Sequence, residues 1–229
     1  NAGHQLILVS SGAIGMGVGK LNLPGRPADM PTKQAAAAVG QCELMYTYDK
    51  LFSEYHHTVA QLLLTREDVD FPGRRQNFEN AMERLLELNA LPIVNENDAV
   101  ATDEVGESTT IGENDTLAAI VAECVGADRL ILLSDIDGLY DADPKKNPQA
   151  KLLHQVAELT PEILEMAGGA GTWRGTGGMA TKLSAAKIAM EAGCDMVITN
   201  GQRPEELYGI VEGGDVGTRF IAAGKGGTL

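Results

Sequence analysis

The residues with the clearest chemical capacity are Gly175-Thr-Gly-Gly-Met-Ala-Thr-Lys182, which run into an alanine-rich stretch ending at Gly193. Three glycines in four positions permit backbone angles and close approaches that side chains forbid. The stretch behind them is built of good helix formers, with Gly193 placed to terminate it. A loop feeding a helix N-terminus offers free amide N–H groups and the positive end of the helix dipole, a setting that suits phosphate. Lys182, on the first turn, adds a mobile point charge. A solvated glycine turn before a surface helix is the competing reading. Neither common phosphate motif fits. Lys182 lies between Thr181 and Leu183, where a P-loop requires Gly-Lys-Ser/Thr. The spacing Gly175-x-Gly177-x-x-Ala180 satisfies the dinucleotide pattern, but Ala167 to Arg174 reads as a loop where a strand is required.

Three further clusters carry polar chemistry. Ser10 to Gly19 reads as a small-residue loop after an apolar run. Glu96-Asn97-Asp98 and Glu113-Asn114-Asp115 flank the segment Ala99 to Gly112, rich in acids, threonine and glycine. Each alone suits a turn or a cap; together they suit a site for the ammonium and carboxylate groups of a polar ligand. Ser134-Asp135-Ile-Asp137-Gly138-Leu-Tyr140 follows another apolar run. Phosphatases of the haloacid dehalogenase type place Asp-x-Asp-Gly-Thr there, but Leu139 stands in the threonine position. Gly213-Gly-Asp215-Val also lacks a second metal-binding acid. A strand-end turn is the simpler account of Asp137-Gly138.

The elements that must position these residues alternate in type. Apolar runs at 6–9, 59–64, 91–94, 129–133 and 196–199 predict strands, with a further one at 217–223. Between them the pattern predicts helices over 32–55, 74–89 and 114–125, another opened by Thr160-Pro161, and the one behind the glycine loop. Asn114 or Asp115 is the expected cap of the 114–125 helix and Gly126 its stop. Such alternation predicts an α/β fold: a three-layer αβα open sandwich around a mainly parallel sheet, in a single domain over 1–229.

Composition narrows the partners. The 229 residues are 44% hydrophobic but only 4% aromatic, so the core is aliphatic. A net charge of −14 argues against nucleic acid and anionic membranes. A bound polyanion must therefore be held by local positive charge, as Lys182 offers. Cys42, Cys124 and Cys194 form neither a disulfide framework nor a metal cluster, and a reducing cytoplasm is expected. His56 and His57 stand at a helix–strand junction with no third ligand in view. Trp173, just before the glycine loop, fits a nucleotide cover or loop packing equally well.

With these pieces in order, the chain resembles the amino acid kinase family. The matching stretches are Val9-Ser-Ser-Gly-Ala13, Pro92-Ile-Val-Asn-Glu-Asn-Asp-Ala-Val-Ala101, Gly112-Glu-Asn-Asp-Thr-Leu-Ala118, Leu133-Ser-Asp135 with Gly138-Leu-Tyr140, Asp143-Pro144, and Gly175 to Lys182. The second and last of these resemble the members that act on glutamate, rather than those acting on acetylglutamate, aspartate or UMP. The resemblance implies a carbamate kinase-like fold and Mg²⁺-dependent phosphoryl transfer from ATP to the side-chain carboxylate of glutamate. It implies that Ser11, Gly12, Asp98 and Asn114 bind glutamate, with Asp98 on its ammonium group. Ser134, Asp135, Thr176, Gly177, Gly178 and Met179 are implied at the nucleotide. Lys182 is implied at the phosphates and transition state, and Asp115 as the organiser of the cationic groups; both count as catalytic. It further implies feedback inhibition by proline and a homo-oligomer.

The family begins with a strand ending in Lys-x-Gly-Ser/Thr, and many bacterial members carry a C-terminal PUA domain. Asn1-Ala-Gly-His-Gln reads as entering the strand after that first one, so an N-terminal strand is expected outside this chain. An amino-acid-sensing domain without transferase activity is the alternative that the absent lysine favours.

Overall fold

The computed structural model describes residues 3–101, 103–104, 107–108, 111–144, 146–166 and 178–223. The chain forms two compact units, Asn1–Leu117 and Ala118–Leu229.

In the first unit, β1 (Leu8–Val9), β3 (Leu91–Glu96) and β2 (Val59–Leu64) form a parallel sheet in that order. Leu8 lies opposite Ile93, and Val59 to Leu64 run alongside Leu91 to Glu96. β3 is central, which is why Ile93 and Val94 are fully buried and its apolar run does not alternate. α1 (Ala13–Lys20) follows β1, and α2 (Met30–Ser53) leads toward β2. Asp29 caps α2 by accepting from the Thr32 N–H at 2.9 Å, and Pro31 sits in the first turn, where no N–H is needed. The buried face of α2 is Ala36, Ala37, Gly40, Gln41 and Leu44, a stripe of helical spacing. α3 (Arg66–Asp70) and α4 (Pro72–Glu87) follow β2, with Phe78 and Met82 of α4 in the core. β4 (Asp103–Glu104) and β5 (Glu107–Ser108) form a small antiparallel pair. α5 (Asn114–Val125) begins in this unit and ends in the second.

Ser10 to Gly19 is a helix over most of its length, not a loop. Three glycines weaken a helix by roughly 1 kcal/mol each relative to alanine, but tertiary packing requires Gly17. A Cβ on Gly17 would stand 1.8 Å from the Ala36 carbonyl oxygen, and one on Gly40 would stand 1.7 Å from that of Ala13. α1 and α2 therefore cross backbone against backbone at Gly17 and Gly40, which explains those two glycines and the small residues Ala13 and Ala36 facing them; Gly15 and Gly19 have open space around them.

In the second unit the strand order is β6 (Arg129–Ser134), β8 (Asp195–Asn200), β9 (Thr218–Phe220), β7 (Gln155–Val156). β6 and β8 run parallel, Arg129 to Ser134 beside Asp195 to Asn200. β9 is antiparallel to β8, with Val197 opposite Arg219, and parallel to β7. α6 (Pro161–Met166) opens at the expected proline. α7 (Met179–Glu191) packs on β8 through Leu183, Ala185, Ala186, Ala189 and Met190. Gly193, at φ 79°, ends it as expected. α8 (Glu206–Val211) precedes β9. The expected class is found: an open α/β arrangement of mainly parallel strands. β1 and β9 are shorter than the 6–9 and 217–223 expected.

Candidate functional site

One polar cluster lies at the carboxyl ends of β1 and β3, where parallel strands present ligand-binding loops. The Ser10 N–H continues the ladder to the Val94 carbonyl at 2.9 Å, and its hydroxyl pairs with the Tyr48 hydroxyl of α2 at 2.8 Å. Ser11 is exposed and Gly12 adopts φ 97°, turning the chain into α1. On β3, buried Asn95 donates to the Gln41 carboxamide oxygen at 3.0 Å and accepts from the Glu96 N–H at 2.9 Å. The Gln41 Nε2 is buried with no partner among the described residues. Buried Glu96 accepts from the Ile111 N–H at 2.5 Å.

Asn114 closes the cluster. Its carboxamide donates to the Ser10 carbonyl and reaches Asn95 Oδ1 at 3.5 Å. The helix does not use it as a cap, since the Glu113 carbonyl accepts from Thr116 and Leu117 and so takes that position. Gly126, at φ 60°, does stop α5 as expected. Asn114 thereby stands beside the Ser11-Gly12 turn, with Asp115 next to it on the first turn of α5. Asp98 lies two residues past β3. Its turn is fixed by the Asn97 carbonyl, which accepts from Val100 and Ala101 at 3.1 Å, and by Gln34, which donates to the Ala101 carbonyl at 3.0 Å. Burial pushes the Asp98 carboxyl above its ordinary range, against the pull of Lys33 and Arg26. The arrangement can take a cation at Asp98 and an anion at the Ser11-Gly12 amides. Gln41, Tyr48 and Asn95 support it and were not singled out from sequence. A glutamine interrupting a stripe of alanine and glycine was the available signal.

A second cluster belongs to the other unit. Ser134 ends β6, its carbonyl accepting from the Gly201 N–H at 2.7 Å, and its hydroxyl reaches the exposed Asp135 carboxylate at 3.2 Å. α7 spans 13 residues and β8 six, each roughly 20 Å long at about 1.5 and 3.3 Å per residue. Packed antiparallel to β8, α7 returns its N-terminus to the strand end that carries Ser134. Gly178 opens the helix at φ 89°, ψ −148°, backbone that only glycine adopts readily, and as glycine it brings no side-chain cap of its own. Met179 and Lys182 lie on that first turn. Thr176, Gly177 and Trp173 lie outside the described residues.

Asp137 accepts from Asn200 at 2.9 Å, from Arg203 at 2.5 Å and from the Tyr140 hydroxyl at 3.1 Å. The Asn200 hydrogen bond leads in holding its carboxyl below the usual range, with Tyr140 and Arg203 adding to it and partial burial opposing. A carboxylate held ionised is the reverse of the general acid a phosphatase needs. Leu139, which departs from the phosphatase pattern, is buried and donates its N–H to the Thr218 hydroxyl at 2.8 Å. No group of three potential metal ligands occurs among the described residues, and no helix among them is long and apolar enough to cross a membrane.

The family model described as "Amino acid kinase family" matches residues 1–200. A glutamate 5-kinase of Clostridium perfringens is 55% identical over 97% of this chain and 82% of its own length. Enzymes of the same name from Listeria innocua and Lactococcus lactis are 52% and 50% identical, over 97% and 96% of the chain and 80% and 82% of their lengths. Among solved structures, an isopentenyl phosphate kinase in its substrate complex and a Giardia lamblia carbamate kinase bound to AMP-PNP each superpose with a TM-score of 0.63 at 19% identity. Both cover 96% of this chain, and 85% and 84% of their own, a likeness of fold. The chain belongs to the amino acid kinase family, in its glutamate 5-kinase branch.

Proposed function

We propose that this chain catalyses transfer of the γ-phosphoryl group of ATP to the side-chain carboxylate of L-glutamate. The products are glutamyl 5-phosphate and ADP, and the reaction is the first step of proline synthesis. The observation that carries the reading is identity of 50–55% to glutamate 5-kinases over 96–97% of the chain. The two polar clusters support it.

A carboxylate is already a nucleophile, so the reaction requires no protein base. An acceptor oxygen attacks Pγ, the bond from Pγ to the β,γ-bridging oxygen breaks, and ADP leaves with those electrons. The protein's work is to align two anions and neutralise the charge between them. Asp98 pairs with the glutamate ammonium group. The Ser11 hydroxyl, the Gly12 amide and the Asn114 carboxamide hold its carboxylates. Ser134 and Asp135 face the nucleotide, while Thr176, Gly177, Gly178 and Met179 bring backbone amides to its phosphates. Lys182 meets the moving phosphoryl group and Asp115 orients the cationic groups around it.

Mg²⁺ belongs to the same reading. Such an ion is usually held by ATP's own phosphates with one or two protein carboxylates, and Asp115 and Asp135 are the carboxylates of this reading that would stand near it. Bound there, it would supply positive charge against the anionic phosphates. Feedback inhibition by proline, a homo-oligomeric assembly and a cytoplasmic setting complete the proposal.

The test is glutamyl hydroxamate formation from glutamate, ATP and hydroxylamine. Product that depends on both glutamate and ATP is expected. A chain that binds glutamate yet forms no hydroxamate would instead be a sensing domain.

A further inference from the structure

Apart from both clusters, the second unit holds a cavity of about 250 Å³, lined by Arg129, Gln155, Val197, Ile210, Gly213 to Val216 and Arg219. Arg129 is the first residue of β6 and Ser134 the last, so the two stand roughly 16 Å apart along the strand at about 3.3 Å per residue. Opposite register places Arg129 beside Asp195, and Val197 beside Arg219, on neighbouring strands. Strand alternation therefore turns both arginines to one face.

Each guanidinium is only partly used. Arg219 Nη2 pairs with buried Asp195 at 2.5 Å, and Arg129 Nη1 donates to the Ile210 carbonyl at the end of α8. The Nε–H of each is buried with no partner among the described residues. Arg129 has no acidic partner among them either. Two buried donors on permanently charged groups are costly to leave unmet. The acid on the lining, Asp215, is exposed and faces His154 Nδ1 at 3.6 Å.

We propose that this cavity binds a small oxyanion, held by the guanidinium groups of Arg129 and Arg219 that line it. The volume is below the roughly 300–1,000 Å³ of pockets for drug-sized ligands, so the ligand class is a phosphate or a small carboxylate, not a nucleotide. Guanidinium forks match both anions, and on a chain of net charge −14 such a site is a local exception.

The test uses the whole chain carrying Lys182→Ala, so that phosphate cannot report from the α7 N-terminus. Arginine Nε–H resonances are followed by ¹H–¹⁵N spectroscopy during separate titrations with inorganic phosphate and with succinate, against chloride at matched ionic strength. Arg129→Lys and Arg219→Lys assign the two signals and keep both charges, so Asp195 retains a partner. The expected result is that both signals move together and saturate with phosphate, succinate or both, and that the double lysine variant binds the same anion at least about tenfold more weakly by calorimetric titration. Whichever anion saturates identifies the class. Signals unmoved by either anion, or moved equally by chloride, would overturn the proposal.

Discussion

Replacing Asp98 with asparagine separates binding from stability in one experiment. The substitution keeps shape and removes charge, while the turn that carries it is held by Asn97, Leu64 and Gln34 rather than by the carboxylate. A hydrogen bond to a charged group contributes about 1.5–3 kcal/mol. At about 1.36 kcal/mol per decade, its loss raises the KM for glutamate by roughly 10- to 100-fold, with half-burial favouring the lower part of that range. The KM for ATP stays within about twofold. Stability moves the other way. Burial raises the Asp98 pKa despite Lys33 and Arg26, so its ionised form costs stability at every pH above that folded pKa. The cost declines as pH falls below that pKa and is gone below the ordinary carboxylate range of the unfolded chain. Asp98→Asn is therefore expected to melt at or above the wild-type temperature at neutral pH, by up to about 4 °C. Glutamate binding favours the ionised carboxylate, so the wild-type KM for glutamate rises as pH falls through the raised Asp98 pKa, and the variant lacks this dependence. Steady-state kinetics over a pH series with calorimetric melting supplies all the readouts. An unchanged KM for glutamate, or a larger effect on ATP, would refute the assignment.

Three other outcomes follow from the same geometry. Lys182→Ala lowers kcat by about 10²–10³, the scale of removing one transition-state donor, while glutamate still binds by calorimetric titration; full turnover in the variant would sink the phosphoryl-transfer role. Asp135→Asn raises the KM for ATP and leaves hydroxamate formation measurable; complete loss of turnover with ATP binding intact would point to a nucleophile instead. Gly40→Ala, favourable in an open helix, forces a methyl group to 1.7 Å from the Ala13 carbonyl. Overpacking of about 1–3 kcal/mol lowers the melting temperature by roughly 2–4 °C per kcal/mol, and a rise would contradict the close crossing.

Elements built from continuous aliphatic runs were legible in the sequence. β2 and α5 fall on the expected residues, β6 runs one residue further at its end, and β8 one residue further at each end. Their signals are local: burial on both faces of a strand, and a glycine at φ 60° closing a helix. α1 was not legible because its glycines argue against a helix by propensity, and the reason for Gly17 lies about 20 residues away in α2. The antiparallel course of β9 depends on pairing with β8, to which no local pattern points. In the site, Asp98, Asn114 and Lys182 stand in compact motifs, whereas Gln41 and Tyr48 sit in a long helix and meet Asn95 and Ser10 only after folding. The cap was expected at Asn114 or Asp115, residue types that suit that position, whereas the Glu113 carbonyl takes it. The Asn114 side chain is committed to the Ser10 carbonyl instead.

The α1–α2 crossing also bears on how the chain responds to hydrostatic pressure. Pressure unfolds proteins by eliminating internal voids, and two backbones in direct contact leave little void to eliminate. The cavity between Arg129 and Arg219 is a void of about 250 Å³. Compression is therefore expected to act on the β6–β8–β9 face around that cavity more than on the α1–α2 crossing. The tight crossing behind Ser11 and Gly12 is then expected to persist at pressures that already loosen the strand face between Arg129 and Arg219.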